Sequence, residues 1–100
     1  MITKNCEDLL EGSLESCQGL VEEIVIVDNY SQDRTLGVAK KYGAKIFLNK
    51  EEDLGKQRAY GLKKVTGEWV LVLDSDEVIS QELRSEIKKV LSKFGLNLKE

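Results

Sequence analysis

The chain alternates between segments whose apolar residues recur at helical spacing and short continuous apolar runs. The first helical segment begins after Asn5, a good N-cap residue, and extends to about Gln18. Its expected buried positions are Cys6, Leu9, Leu10, Leu14 and Cys17. The run at 24–27 follows, and because it is short and rich in β-branched residues it predicts a strand covered on both faces.

The same alternation continues through the middle of the chain. Ser31 is the expected cap of a second helix, with Asp33 near its positive end and Gly43 at its left-handed C-terminus. Residues 45–48 predict a second strand. Residues 54–65 predict a third helix with an inward face of Ala59, Leu62 and Val65.

The last third of the chain holds the strongest predicted strand, residues 69–73. Ser80 then caps a final helix that ends at Gly95. Its apolar stripe follows an i, i+4, i+7, i+8, i+11 pattern that predicts one buried face, formed by Leu83, Ile87, Val90, Leu91 and Phe94.

Strands separated by helices predict an α/β fold, a three-layer α/β/α doubly wound and mostly parallel sheet. A chain of 100 residues forms one domain, here residues 1–100. Ligands of such sheets bind at the carboxyl ends of the strands. The residues that follow each strand are therefore the candidates for chemistry.

Composition narrows the function classes. The net charge is -3 with interspersed signs, which disfavours a nucleic-acid partner. No apolar run reaches the ~20 residues of a membrane span, and the first residues lack the apolar core of a secretory signal, so we expect a cytoplasmic protein. The absence of His removes imidazole bases and ligands, so any metal must be held by oxygen.

The cysteines Cys6 and Cys17 lie eleven positions apart on the first predicted helix, too far to bridge. We interpret both as small apolar residues of the buried face. A reactive thiol is the alternative.

Two acidic segments follow predicted strands. Asp74 and Asp76 come after 69–73, and residues i and i+2 at a strand end project to the same side. Two carboxylates suit Mg²⁺ or Mn²⁺, although a solvated turn before a helix is the alternative. Asp28 ends the strand at 24–27, where a carboxylate can accept hydrogen bonds from a base or ribose, whereas Ser31 and Asp33 are interpreted first as helix caps.

The order and spacing of these segments resemble the nucleotide-sugar-binding half of glycosyltransferase family 2, which has the GT-A fold. The resemblance is closest to bacterial members that build lipopolysaccharide and other cell-surface glycans. It covers almost the whole chain through residues 2–5, 23–28 with Ser31, Asp33, Arg34 and Thr35, then 39–45, 55–58 and 66–77.

The resemblance implies that the domain binds a nucleoside-diphosphate sugar, expected to be a UDP-sugar, for hexosyl transfer. Thr3 would lie on the loop at the nucleotide and Asp28 would hydrogen-bond the base. Arg58, with Lys56, would approach the base or diphosphate, although both also fit exposed charges on a helix.

The family's Asp-x-Asp motif implies roles for two further residues. Asp74 would reach the ribose, and Asp76 would coordinate Mn²⁺ or Mg²⁺. A divalent ion there stabilises the charge that develops on the departing diphosphate.

Two departures from the family pattern alter these expectations. Only Met1 and Ile2 precede the Thr-Lys-Asn segment, so the first strand is expected to be a stub that gains pairing from a second copy in a homodimer. After Glu77 no residue resembles the base of the acceptor half, since Glu82, Glu86 and Glu100 fit a helix face or the tail. Turnover by this chain alone is therefore not expected.

Two other function classes fit parts of the chain. Residues 70–78 resemble the first motif of haloacid-dehalogenase-like phosphatases, but that family's later motifs do not fit into the remaining residues. A non-catalytic domain that folds and self-associates is the second alternative. Metal-dependent binding of a nucleoside diphosphate separates it from a competent donor site.

Overall fold

The computed structural model describes residues 1–94. Three strands and four helices follow one another along the chain as β1 (Ile2–Thr3), α1 (Glu7–Ser16), β2 (Val25–Asp28), α2 (Thr35–Lys41), β3 (Lys45–Leu48), α3 (Leu54–Leu62) and α4 (Gln81–Lys93). None of the helices in this part of the chain is long and apolar enough to cross a membrane.

The strands form one parallel sheet in the order β1-β2-β3. β2 lies in the middle and all four of its residues are buried, because helices and neighbouring strands cover its β-branched side chains. β3 is an edge strand with exposed ends. The predicted α/β class with a parallel sheet is confirmed, as are the bounds of β3 and the two-residue β1.

The core lies between α1, α2 and the sheet. Leu10 and Leu14 of α1 pack with Ile26 of β2 and Ala39 of α2, and all four are fully buried. A second cluster of Cys17, Leu20 and Ile79 joins the end of α1 to the segment that precedes α4. The first cluster thus holds the helices that follow β1 and β2 against the sheet.

The predicted strand at 69–73 is wrong for this structure. Among residues 1–94, its peptide groups make no backbone hydrogen bond, and the Trp69 and Val72 side chains are exposed. A strand needs a neighbour with a matching ladder, and the free edge of β1 offers only two residues. High β-propensity at 69–73 therefore does not produce a strand.

The predicted apolar faces of α3 and α4 are also wrong in part. α3 ends at Leu62, which is exposed together with Ala59, while Gln57 is its buried residue. Gly61 instead faces β2, since a Cβ there would lie 3.1 Å from Cγ2 of Val27. Several apolar side chains of both helices are therefore exposed.

α4 is capped by Ser80 as predicted, because its hydroxyl oxygen accepts a 3.1 Å hydrogen bond from the Leu83 N–H. No residue of α4 is buried, however. Ile87 is half-buried against the second cluster, whereas Leu83, Val90 and Phe94 are exposed. The expected helix end at Gly95 lies outside the described residues.

The predicted caps of α1 and α2 differ from those observed. Asn5 takes a left-handed φ of 45° and α1 is preceded by Cys6. α2 begins at Thr35, and the Ser31 hydroxyl donates to Asp28 and does not cap the helix. Asp33 lies at the start of α2 as predicted, and Gly43 has the expected left-handed φ of 72°. Leu9, expected inside α1, is exposed.

Candidate functional site

The carboxyl edge of the sheet is the place where all three strands end in register. Thr3 of β1 lies beside Asp28 of β2, which lies beside Leu48 of β3. The next residues along the chain continue this alignment, because the N–H of Asn29 donates to Thr3 O and the N–H of Asn49 donates to Asp28 O, each at 3.0 Å. Polar groups from three loops are thus brought to one edge.

Asp28 is the centre of this edge and is fully buried. Its Oδ1 accepts hydrogen bonds from Thr3 Oγ1 at 2.7 Å and from Ser31 Oγ at 2.6 Å. Its Oδ2 accepts from the Ser31 N–H at 2.7 Å. The carboxylate therefore ties β1 to the loop after β2, and these donors offset its loss of hydration.

Asp33 joins the starts of two helices. Its carboxylate accepts hydrogen bonds from the N–H and hydroxyl of Thr35 in α2, and from the N–H of Glu7 in α1. The Thr35 hydroxyl makes the largest contribution to holding the pKa of Asp33 below its ordinary value, followed among the favourable contacts by the backbone N–H groups. One side chain therefore satisfies N-terminal peptide groups of both α1 and α2.

Asn5 and Ser31 complete the connection between these two loops. The Asn5 N–H donates to Ser31 Oγ, and the Gln32 N–H donates to Asn5 Oδ1, each at 2.8 Å. Both residues were expected to cap their own helices. Each instead forms a hydrogen bond with the loop that carries the other residue. The local sequence around either residue does not indicate these bonds.

Asn49 and Gln57 form a further polar pair that the sequence did not single out. Asn49 Nδ2 donates to Gln57 Oε1, and Gln57 Nε2 donates back to Asn49 O, both at 2.8 Å. Gln57 is buried at 2% exposure, so the pair fixes α3 against the end of β3. The sequence signal for this pair was Gln57 itself, a polar residue on the buried side of α3.

The start of α3 places two basic residues near this edge. Asp53 caps the helix by accepting a 3.0 Å hydrogen bond from the Lys56 N–H. The Lys56 side chain makes no ion pair within residues 1–94. Arg58 Nη2 lies 3.3 Å from Asp74 Oδ1, with both side chains close to half-exposed. An exposed pair of this kind leaves the guanidinium accessible to an anion.

Residues 74–77 form a tight acidic turn that contacts α1. The Glu77 N–H donates to Asp74 O at 3.0 Å, and Glu77 Oε1 accepts from the Asp74 N–H at 2.9 Å. The buried Ser13 of α1 donates to Asp74 O at 3.3 Å. The turn is therefore anchored to the protein core even though 69–73 is not a strand.

Asp76 lies exposed in this turn, and within residues 1–94 its carboxylate has no hydrogen bond or ion pair. The described residues contain no group of three or more His, Cys, Asp or Glu side chains that could hold a metal. Mg²⁺ characteristically uses one or two carboxylates and completes its shell with waters and substrate phosphates. The oxygen donors of Asp76 and Asp74 fit that type of site.

The predicted site residues thus fall into two contacting pairs and two separate side chains. Thr3 contacts Asp28, and Arg58 contacts Asp74. Lys56 and Asp76 contact none of the other predicted site residues through a hydrogen bond or ion pair in the described part of the chain.

Neither cysteine contributes to this edge through its sulfur. Both are free, and burial raises the pKa of the Cys17 thiol. A thiol that stays protonated is a poor nucleophile. The interpretation of Cys17 as a core residue is confirmed by its position in the second cluster.

Comparisons with known proteins give a consistent result. The model of the family described as glycosyl transferase family 2 matches residues 1–95. A Rickettsia typhi protein named as an uncharacterized glycosyltransferase is 34% identical over 92 residues, which cover 92% of this chain and 32% of the relative. The chain therefore spans about a third of the length of this relative.

Solved structures show the same similarity in three dimensions. The crystal structure of Staphylococcus aureus TarS 1–349 has a TM-score of 0.77 and 29% identity, covering 92% of this chain and 31% of TarS 1–349. The structure of TarS 1–349 in complex with UDP has a TM-score of 0.70 and 28% identity, covering 92% and 30%. TarS is named as a poly(ribitol-phosphate) beta-N-acetylglucosaminyltransferase.

Proposed function

The chain belongs to glycosyl transferase family 2, and we propose that its carboxyl edge binds the UDP part of a UDP-sugar with a divalent metal ion. The single observation that carries this proposal is the alignment of Thr3, Asp28 and Leu48 at one edge, together with the pairing of Arg58 in α3 with Asp74 of the acidic turn. The UDP complex of the similar TarS structure supports UDP as the nucleotide.

In this proposal, Thr3 and Asp28 do not contact the base. They position the loop after β2, which lies next to it. Asp28 has no exposed surface and its oxygens already accept three hydrogen bonds, so it orients Ser31 and the adjoining residues. Thr3 is 4% exposed and serves as the donor from β1. The predicted contact of Asp28 with the base thus becomes a positioning role.

Lys56, Arg58 and Asp74 are proposed to contact the nucleotide directly. Lys56 is an exposed cation, and Arg58 presents a guanidinium suited to two phosphate oxygens. Asp74 would release Arg58 to the diphosphate and accept a hydrogen bond from the ribose. Exchange of one exposed ion pair for contacts with the ligand has little cost.

Asp76, with Asp74, is proposed to hold Mn²⁺ or Mg²⁺. When bound, such an ion supplies positive charge for the diphosphate leaving group. Asp76 itself provides the metal's anchor, while Lys56 and Arg58 bind the same diphosphate from the protein side. These charges stabilise the leaving group without proton transfer.

Transfer also requires a base at the acceptor hydroxyl. Glu82 and Glu86 lie exposed on α4 and carry no feature that assigns them this role. We therefore propose donor binding as this chain's function. By analogy with TarS, which is named as an N-acetylglucosaminyltransferase, we propose that the donor sugar is a hexose derivative. From the resemblance to bacterial family members, we further propose that this sugar is used in the cytoplasm for a cell-surface glycan such as lipopolysaccharide.

Self-association without turnover is the second candidate, and a specific surface favours it. The C-terminal apolar surface, carried by 69–73 and α4, consists of exposed Trp69, Val70, Leu71, Val72, Leu83, Val90 and Phe94. Extended exposed apolar surfaces mark sites of protein association. A homodimer would cover these side chains.

The test of donor binding is calorimetric titration of UDP into the chain with and without Mn²⁺. We expect Mn²⁺-dependent binding that Asp76→Ala abolishes. Glu22→Ala removes an exposed carboxylate just before β2, at the opposite edge of the sheet, and should leave binding unchanged. No binding of UDP, GDP, CDP or dTDP by the unmodified chain would leave self-association as the better explanation.

A further inference from the structure

Tyr30 is the second residue beyond β2 at the carboxyl edge, and its backbone is strained. Its φ is 52°, a left-handed conformation that is uncommon for a bulky side chain. Glycine adopts this conformation with less steric cost. A large aromatic residue at this position is therefore not what the backbone conformation alone favours, and strained residues of this kind concentrate at ligand sites.

The turn that carries Tyr30 is held on both sides. Lys4 Nζ donates to the carbonyl oxygens of Asn29 and Tyr30 at 2.6 and 3.3 Å. The next residue, Ser31, is bonded through its N–H and hydroxyl to the buried Asp28. These contacts fix the backbone of Tyr30 without engaging its ring.

Tyr30 is also distinct among the aromatic side chains, of which the chain has six. Within residues 1–94 five have an aromatic or charged neighbour. Phe47 and Tyr60 lie near the Lys64 ammonium, Tyr42 near Lys41 and Glu11, and Trp69 against Phe94. The Tyr30 ring has no such neighbour in this part of the chain and is 53% exposed.

From these observations we infer that Tyr30 is a base-binding residue whose ring stacks on the nucleobase of the bound nucleoside diphosphate. This inference rests on the proposed function and adds the group that contacts the base. A ring held on a rigid turn loses little conformational entropy on binding. Stacking also tolerates any base, so Tyr30 contributes affinity while hydrogen-bonding groups at the edge select the base.

The experiment measures UDP affinity with Mn²⁺ and Tm for the full chain and three variants. Tyr30→Phe keeps the ring and should bind UDP within about twofold of the unmodified chain. Tyr30→Gly and Tyr30→Asn remove the ring but accept the left-handed backbone. Both should bind UDP roughly tenfold more weakly, while Tm is unchanged or higher.

The outcomes separate this inference from the proposed function. UDP binding by Tyr30→Gly with the affinity of the unmodified chain would overturn the stacking role and leave the proposed function standing. A lower Tm in both Tyr30→Gly and Tyr30→Asn with unchanged affinity would assign Tyr30 a structural role instead. Absence of UDP binding by the unmodified chain would overturn both proposals.

Discussion

The Thr3 hydroxyl donates a 2.7 Å hydrogen bond to Oδ1 of Asp28, and both side chains are buried. This side-chain hydrogen bond connects the ends of β1 and β2, which are also paired by a short backbone ladder. Because β1 has only two residues, this side-chain bond adds to a small number of backbone hydrogen bonds that join it to β2.

Thr3→Val is expected to destabilise the fold by about 2 kcal/mol, since it leaves a buried carboxylate oxygen with one donor fewer. Urea unfolding measures this change. Thr3→Ser keeps the hydroxyl and should recover most of the stability. Thr66→Val is the matched control, because the hydroxyl of Thr66 bonds at the exposed surface to Glu23, and its loss should change stability by less than about 1 kcal/mol. Equal effects of the two Val substitutions would contradict the role of Thr3.

Arg58→Gln should separate ligand binding from folding. The pair of Arg58 with Asp74 is exposed, so its loss should change the free energy of unfolding by less than about 1 kcal/mol. UDP affinity should fall about tenfold or more, because a charge-assisted contact with the diphosphate is lost. Lys89→Gln is the control, because it removes the exposed ion pair of Lys89 with Glu86 on α4. It should change neither the free energy of unfolding nor the UDP affinity appreciably. Unchanged UDP affinity in Arg58→Gln would exclude Arg58 from the site.

The elements that the sequence predicted correctly are those fixed by local pattern. β3 follows from its own apolar residues, and the end of α2 follows from Gly43, whose left-handed backbone suits glycine. The cap of α4 follows in the same way from Ser80. Each of these features depends on residues within one turn or strand.

The elements that it predicted wrongly depend on partners distant in the chain. Residues 69–73 have strand propensity but no ladder beside the two-residue β1. Asn5 and Ser31 have cap-forming side chains that bond instead across 26 to 27 positions or to a buried carboxylate. The left-handed Tyr30 likewise has no local signal, since its residue type argues against that conformation.

Asp33 predicts a pH dependence of stability. Its pKa is lower in the folded chain than its ordinary value, chiefly because of the Thr35 hydroxyl. A carboxyl group of this kind stabilises the fold fully above about pH 5, and the contribution is lost as the pH falls through the lower folded-state pKa. Asp33→Asn should therefore lower Tm at pH 7 and bring the difference from the unmodified chain towards zero in acid. Asp8→Asn is the control for the charge change, and a pH-independent difference for Asp33→Asn would contradict this account.

Two helical glycines should respond oppositely to alanine. Gly37 in α2 has open space where a Cβ would lie, with nothing within 4 Å, so Gly37→Ala should stabilise the fold by roughly 0.5–1 kcal/mol through reduced chain entropy. Gly61→Ala in α3 would bring its Cβ to 3.1 Å from Val27, which is 1% exposed and cannot move into solvent. We expect destabilisation of about 1–3 kcal/mol from that overpacking. Chemical denaturation of both variants tests whether α3 packs against β2 as closely as described.

The C-terminal apolar surface predicts concentration-dependent self-association. Val72 and Leu9 are both 58% exposed, but only Val72 lies on that surface. Val72→Asp should weaken a homodimer strongly, because the charge would be buried at the contact, whereas Leu9→Asp should leave the association constant unchanged. Sedimentation equilibrium over a range of concentrations measures both, with circular dichroism to confirm that each variant is folded. A strictly monomeric unmodified chain at high concentration would rule out the homodimer, and an equal loss of association in the two variants would place the contact elsewhere.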